Sequence, residues 1–284
     1  MKQVAVIFFI LLLCSCEKVI RLDLPDRDPR LVVDGLLTNE KSPCYVTLSK
    51  TTKYTFIYDT STVIHEEGAV VIISDDSGTA DTLQETTAGK YMTHPEKIQG
   101  AVGRSYKIDI FTGDGKHYAS EMEQMLAVAK IDSIYFSRDQ TITDPTNPSY
   151  YLYDIYINWH DPANEPNYYL RDMSYYWSGR WHENVQWNWV FSDKYIDGSY
   201  LEKDNVNESY GGKGWSFRLN QYSLTKQAYD FWNLVHQQTQ QGNDYANSSV
   251  PLIGNIINAD NPNDYALGYF QVSAKTTADL YIDR

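Results

Sequence analysis

Along most of this chain, hydrophobic and polar residues alternate with a period of two. Leu31-Val32-Val33-Asp34-Gly35-Leu36-Leu37 and Tyr45 to Ser49 each predict a strand with one apolar face. Ala69 to Ser74 predicts a more fully apolar strand, closed by the turn Asp75-Asp76-Ser77-Gly78. Thr82 to Gln84 and Lys90 to Thr93 are shorter candidates. Ser105 to Phe111 runs into Gly113-Asp114-Gly115 and returns as Lys116 to Glu121, which predicts a hairpin because Asp-Gly supplies the backbone twist a tight connection needs. Short strands so closely spaced predict a β-sandwich of immunoglobulin or transthyretin type over residues 30–127. The stretch from Gly100 to Tyr106 is similar to the Gly-x-x-Tyr start of a late strand in such domains.

A boundary near 126–130 divides this unit from a second, β-rich domain over 128–284. Ile131 to Phe136 predicts a strand, and the prolines of 139–149 predict a loop. Leu152 to Trp159 alternates, with Tyr153, Ile155, Ile157 and Trp159 as its core face. Tyr168 to Trp177 is another long strand, with Tyr176 assigned to the core. Residues 178–214 show no clear period. Trp215 to Leu219, Leu252 to Asn258 and Leu267 to Val272 return to strand patterns. One amphipathic helix is expected over 223–241. Ser223 would cap it, Leu224, Ala228, Phe231, Trp232 and Val235 fall at helical spacing, and Gly242 ends it.

The N-terminus changes the picture from a fold to a location. Lys2 precedes an apolar run, Val4 to Leu13, which is shorter than the ~20 residues needed to cross a bilayer but fits a secretory signal. The run ends in Leu13-Cys14-Ser15-Cys16, which resembles a bacterial lipobox. Residues 1–15 are therefore expected to be a signal peptide, Cys16 the lipidated residue, and 16–29 a tether carrying Pro25 and Pro29. Of the three cysteines, Cys14 would leave with the signal and Cys16 would be acylated, so Cys44 has no partner for a disulfide. Its alternation with Val46 and Leu48 makes it a small buried hydrophobe. A net charge of −13 argues against nucleic acid and against an anionic membrane as charge-held partners, so lipid must supply the membrane hold. The 24 tyrosines and 7 tryptophans reinforce the β reading.

Several segments together resemble a family of Bacteroidota lipoproteins, the domain-of-unknown-function family 4249. They are Cys16-Glu17-Lys18-Val19-Ile20, Leu31 to Gly35, Val46 to Thr51, Gly68 to Val71, Gly89-Lys90-Tyr91, Gly254-Asn255-Ile256 and Ala266 to Phe270. The resemblance implies an outer-membrane lipoprotein, palmitate-type acylation at Cys16, and work beside a TonB-dependent receptor. It supplies no catalytic residues.

The residues themselves offer little chemistry. His65, His94, His117, His160, His182 and His236 form no zinc-ligand spacing, and no nucleophile elbow appears. Gly211-Gly212-Lys213-Gly214 lacks the strand-to-helix setting of a phosphate loop. His160-Asp161 and His182-Glu183 are neighbours on strands, so their side chains point to opposite faces. Asp260 to Asp264 could offer oxygen ligands to calcium, but an Asn-Pro turn explains it more simply. No catalytic residue, metal or cofactor is assigned.

Tyr175, Trp181, Trp187 and Trp189, interleaved with Arg180, His182, Glu183 and Asn184, are the candidate binding residues, because flat rings with polar neighbours suit a sugar face or a protein partner. The favoured function is a non-enzymatic ligand-recognition or accessory subunit of a TonB-dependent uptake system. The alternatives are a stand-alone surface protein that binds a glycan or a peptide, and a hydrolase with an unrecognised site.

Overall fold

The computed structural model describes residues 28–283 except 42, 53–62, 95, 184–188 and 241–249. The signal peptide, Cys16, most of the tether, Trp187 and Gly242 lie outside the described residues.

In chain order the first strands are β1 (Leu31–Thr38), β2 (Tyr45–Lys50), β3 (Ile64–His65), β4 (Val70–Asp75), β5 (Ala80–Thr82), β6 (Gln84–Thr87), β7 (Lys90–Met92), β8 (Ser105–Phe111), β9 (His117–Ser120) and β10 (Glu123–Gln124). The next are β11 (Ile131–Thr143), β12 (Tyr151–His160), β13 (Tyr168–Trp177), β14 (Arg180–Glu183), β15 (Trp189–Ser192), β16 (Tyr200–Gly211) and β17 (Ser216–Leu224). Helix α1 (Lys226–Gln240) follows, then β18 (Ile256–Asn258), β19 (Leu267–Ser273) and β20 (Lys275–Tyr281). The protein is mainly β, as its alternation predicts.

The first sandwich packs one sheet, β19-β1-β2-β7-β6, against another, β18-β9-β8-β4-β5. Val33, Leu37, Val46 and Leu48 from one sheet meet Val71, Ile73, Ile108 and Ile110 from the other, all fully or almost fully buried. Each such side chain contributes about 2 kcal/mol of hydrophobic stabilisation. Cys44 is buried on the same face as Val46 and Leu48. Tyr106 is buried where it opens β8, and its hydroxyl donates to the Gln99 carbonyl (3.2 Å) and accepts the Ala101 amide (2.9 Å). That local lock explains the Gly100-to-Tyr106 pattern.

This sandwich is not contiguous in sequence. A division near 127 assigns residues 256–273 to the second unit, yet β18 adds to β9 and β19 adds in parallel to β1. The reason lies in two glycines. Gly254 and Gly268 stand so close that a Cβ on Gly254 would collide with the Gly268 carbonyl. Gly268, at φ +89°, presses against the backbone of Val33. Only residues without a Cβ let β19 reach its place beside β1.

The second sandwich packs β11-β12-β16 on β14-β13-β17-β20, with β15 also paired to β13. Tyr153, Ile155, Ile157 and Trp159 form its core face as the alternation predicts, opposite Tyr169, Met173, Phe217 and Leu219. Strand β11 continues to Thr143, so the loop expected over 139–149 begins later.

Helix α1 joins the two units. Ala228 and Phe231 are buried against Leu170, Tyr222 and Tyr269, with Leu36 and Trp232 alongside. Its cap is Thr225 rather than Ser223: the Thr225 hydroxyl accepts the Ala228 amide at 3.1 Å. Ser223 is instead a buried residue of β17 whose hydroxyl donates to the Leu126 carbonyl at 2.7 Å. No helix among the described residues is long and apolar enough to cross a membrane.

Candidate recognition surface

Strands β19 and β20 are separated only by Ala274, and they belong to different sandwiches. Fifteen residues at ~3.3 Å each make a path of roughly 50 Å. Val32 pairs with Leu267 at its start, and Tyr281 stands at its end. The chain therefore enters at one end of this path, and β12, β13, β17 and β20 present an aromatic cluster at the other.

On the inner side of that end, rings continue the second core outward. Trp215 stacks on Tyr175 (5.3 Å, 10°), and Tyr175 stacks on His182 (5.0 Å, 8°). Tyr150 meets Trp215 edge-on at 5.2 Å, and Trp177 lies 5.7 Å from Trp215. The Nε2 of His182 is buried without a hydrogen-bond partner.

On the outer side, strand register sets Trp181, Tyr176, Ser216 and Tyr281 in one row across four strands. The three rings are 40%, 36% and 58% exposed. Tyr176 meets Trp181 edge-on at 5.5 Å, and the Arg218 guanidinium lies 4.5 Å from the Trp181 ring. Arg218 is held by two bonds to Asp279, 2.7 and 2.9 Å, which raise the guanidinium's pKa and lower that of the carboxyl.

The candidate binding residues thus divide. Trp181 is exposed on the outer row. Tyr175 is half-buried in the inner stack, and Trp189 is half-buried against the second core. Tyr176, assigned to the core from sequence, is on the surface, because the inward phase of β13 is Tyr169, Arg171, Met173 and Tyr175. Arg171 occupies a buried place there by bonding Gln221 Oε1 (2.7 Å) and Asp204 Oδ2 (2.9 Å) and stacking on Trp159 and Phe191. For Tyr281 and Ser216 the sequence signal is weak: for Tyr281 it is the alternation of Lys275 to Tyr281 alone.

At the other end of the second sandwich, carboxylate oxygens of Asp161, Asp193 and Asp197 come within 4.8 Å of one another. Each already accepts a local donor: Asp161 takes the Tyr169 hydroxyl (2.7 Å), Asp193 the Asn167 amide (2.7 Å) and Asp197 the Asn164 amide (2.8 Å). Burial, then the neighbouring Asp193 and Asp197, raise the Asp161 pKa. His160 is exposed on the opposite face from buried Asp161, and its Nε2 is 3.3 Å from the Gly198 carbonyl. In the 260–264 turn, Asp264 is held by Lys116 at 2.8 Å, and the amides of Asp260 and Asn261 donate to Asn258 Oδ1.

One buried carboxylate sits at the joint. Glu123 is 5% exposed, with Thr225 Oγ1 donating to Oε1 (2.9 Å) and Asn255 Nδ2 donating to Oε2 (3.0 Å). Asn255 is itself fixed by two bonds to the Phe270 backbone. Burial pushes the Glu123 carboxyl up to about 7 against the pull of these donors.

No curated protein matches the chain. The family model described as a domain of unknown function (DUF4249) matches residues 17–279, and the chain belongs to that family.

Proposed function

We propose that this protein is a non-enzymatic, lipid-anchored recognition subunit of the outer membrane, working beside a TonB-dependent receptor. Cys16, at the end of its lipobox-like run, carries the anchor. The observation that carries this reading is the polarity of the fold. Residues 28–30 lead into β1 at one end of the β19–β20 path, and the exposed row Trp181, Tyr176 and Tyr281 lies at the other. An anchor at the first end leaves the second free to meet a ligand or partner. Clustered rings with polar neighbours are what a recognition surface needs, since each offers apolar area at little cost in side-chain freedom.

Recovery of the tagged protein from native membranes under mild detergent tests the reading. An outer-membrane receptor should co-purify in stoichiometric amounts. Repeated recovery of the protein without any receptor would overturn it.

A further inference from the structure

Among the described residues, the outer face of β13-β17-β20 is covered by α1 at the joint, where Leu170 and Tyr222 pack on the helix. Beyond the helix three rows follow, the first closed at its centre by buried Asn220 and the third the most exposed. Asp172, Asn220 and Thr277 form the first, linked by Asn220 Nδ2 to Asp172 (2.7 Å) and Thr277 Oγ1 to Asn220 (2.8 Å). Glu183, Ser174, Arg218 and Asp279 form the second. Trp181, Tyr176, Ser216 and Tyr281 form the third.

We propose that this open face binds a neutral polysaccharide, laid across Trp181, Tyr176, Ser216 and Tyr281. The inference rests on the recognition reading above and names its ligand class. The third row crosses four strands, a span of about 14 Å at ~4.8 Å per strand, which is room for a short run of sugar rings. The apolar face of a pyranose stacks on an aromatic ring, and its hydroxyls need donors and acceptors alongside. Here the rings are a single row deep, and amide, hydroxyl, carboxylate and guanidinium groups stand directly behind them. A protein hot spot instead sits at the centre of a broad patch that the partner fully desolvates, whereas these rings make one narrow, half-exposed row.

Charge selects within the class. The chain carries −13, so a polyanion is repelled. Of the carboxylates whose side chains are described on this face, Asp279 is closed on Arg218 and Asp172 accepts from Asn220, so neither is left open to a polycation. A neutral polyol complements what remains. The platform is also held before binding: Asp279 fixes Arg218, which lies over Trp181, which meets Tyr176.

The test is affinity electrophoresis of the mature protein through gels holding neutral glucans, mannans or xylans, with alginate as the polyanion. At least one neutral polysaccharide should retard it, and Trp181→Ala and Tyr281→Ala should each weaken that retardation about tenfold or more. Tyr195→Ala should not, since this ring, 87% exposed, is at the other end of the sandwich. Thermal midpoints within a few degrees of the parent confirm that the variants fold. Retardation by alginate alone, by no neutral polysaccharide, or undiminished in both variants would overturn the inference. If Trp181→Ala abolishes receptor co-purification while no polysaccharide binds, the face is a protein-docking surface, and the sugar inference falls while the recognition reading stands.

Discussion

Glu123 makes stability depend on pH in a direction opposite to most carboxylates. Its folded pKa is raised, from 4.5 to about 7. Below pH 4.5 both folded and unfolded chains hold the proton, and the residue costs nothing. Between pH 4.5 and 7 the unfolded chain ionises while the folded one resists, so stability falls as pH rises. Above pH 7 the penalty levels off. A shift of about 2.5 units at 1.36 kcal/mol each gives about 3 kcal/mol. Glu123→Gln cannot ionise and keeps the geometry: its oxygen can accept from Asn255, whose amide is locked by Phe270, and its nitrogen can donate to Thr225 Oγ1. Urea unfolding of parent and variant at pH 4.5, 6, 7 and 8 is the assay. The acidic surface contributes its own pH dependence, but both proteins share it, so the difference between them is the readout. The variant should be within about 1 kcal/mol of the parent at pH 4.5 and gain as much as about 3 kcal/mol by pH 8. A difference that stays constant across this range would refute the reasoning.

Cys44, buried and with its thiol pushed up to about 12 by burial, should resist maleimide in the folded mature protein and react on unfolding; rapid labelling of the native state would contradict its placement. Gly268→Ala puts a Cβ against the Val33 backbone at φ +89° and should cost about 2 kcal/mol or more, read as a lowered urea midpoint. Arg171→Ala leaves Asp204 without its buried guanidinium and should cost about 3–5 kcal/mol; a loss under 1 kcal/mol would show that the ion pair contributes little. Labelled palmitate should enter the parent in cells and not Cys16→Ser, with equal label in both ruling out that cysteine as the acceptor.

The parts of the fold legible in the sequence are those where one face is buried and the other wet. Strands β1, β2, β8 and β12 alternate cleanly because each packs one side on a core. Strand β16 is not legible, since Glu202 to Asn205 is polar on both faces, and its register slips where it pairs with β12, with Lys203 at φ +59°. Tyr176 reads as core because Arg171 occupies an inward position, which disguises the phase of β13. Thr225 and Ser223 are both competent caps by composition; burial of Ser223 within β17 decides between them. The return of β18 and β19 to the first sandwich depends on pairings such as Ile256 with Ser120 and Leu267 with Val32, far apart in the chain, which no local period encodes.

Within the described residues, the segments behind the family resemblance fall in the first sandwich or at its joint. Gly254, Asn255 and Gly268 let β19 lie against β1, Gly89 packs against the Leu48 carbonyl, and Tyr91 holds the Ala69 amide at 3.0 Å. Each does backbone work that no other side chain can do, so such positions define a frame. The open face does a different kind of work. Trp181 and Tyr281 are not needed to close any core, and their exposure leaves stability nearly indifferent to what replaces them. A frame that demands particular residues joined to a surface that tolerates many is the arrangement by which one architecture can be turned toward different ligands. It follows that exchanging Tyr176, Trp181 and Tyr281 should move binding with little change in unfolding midpoint, whereas changes at Gly254 or Gly268 should move the midpoint first.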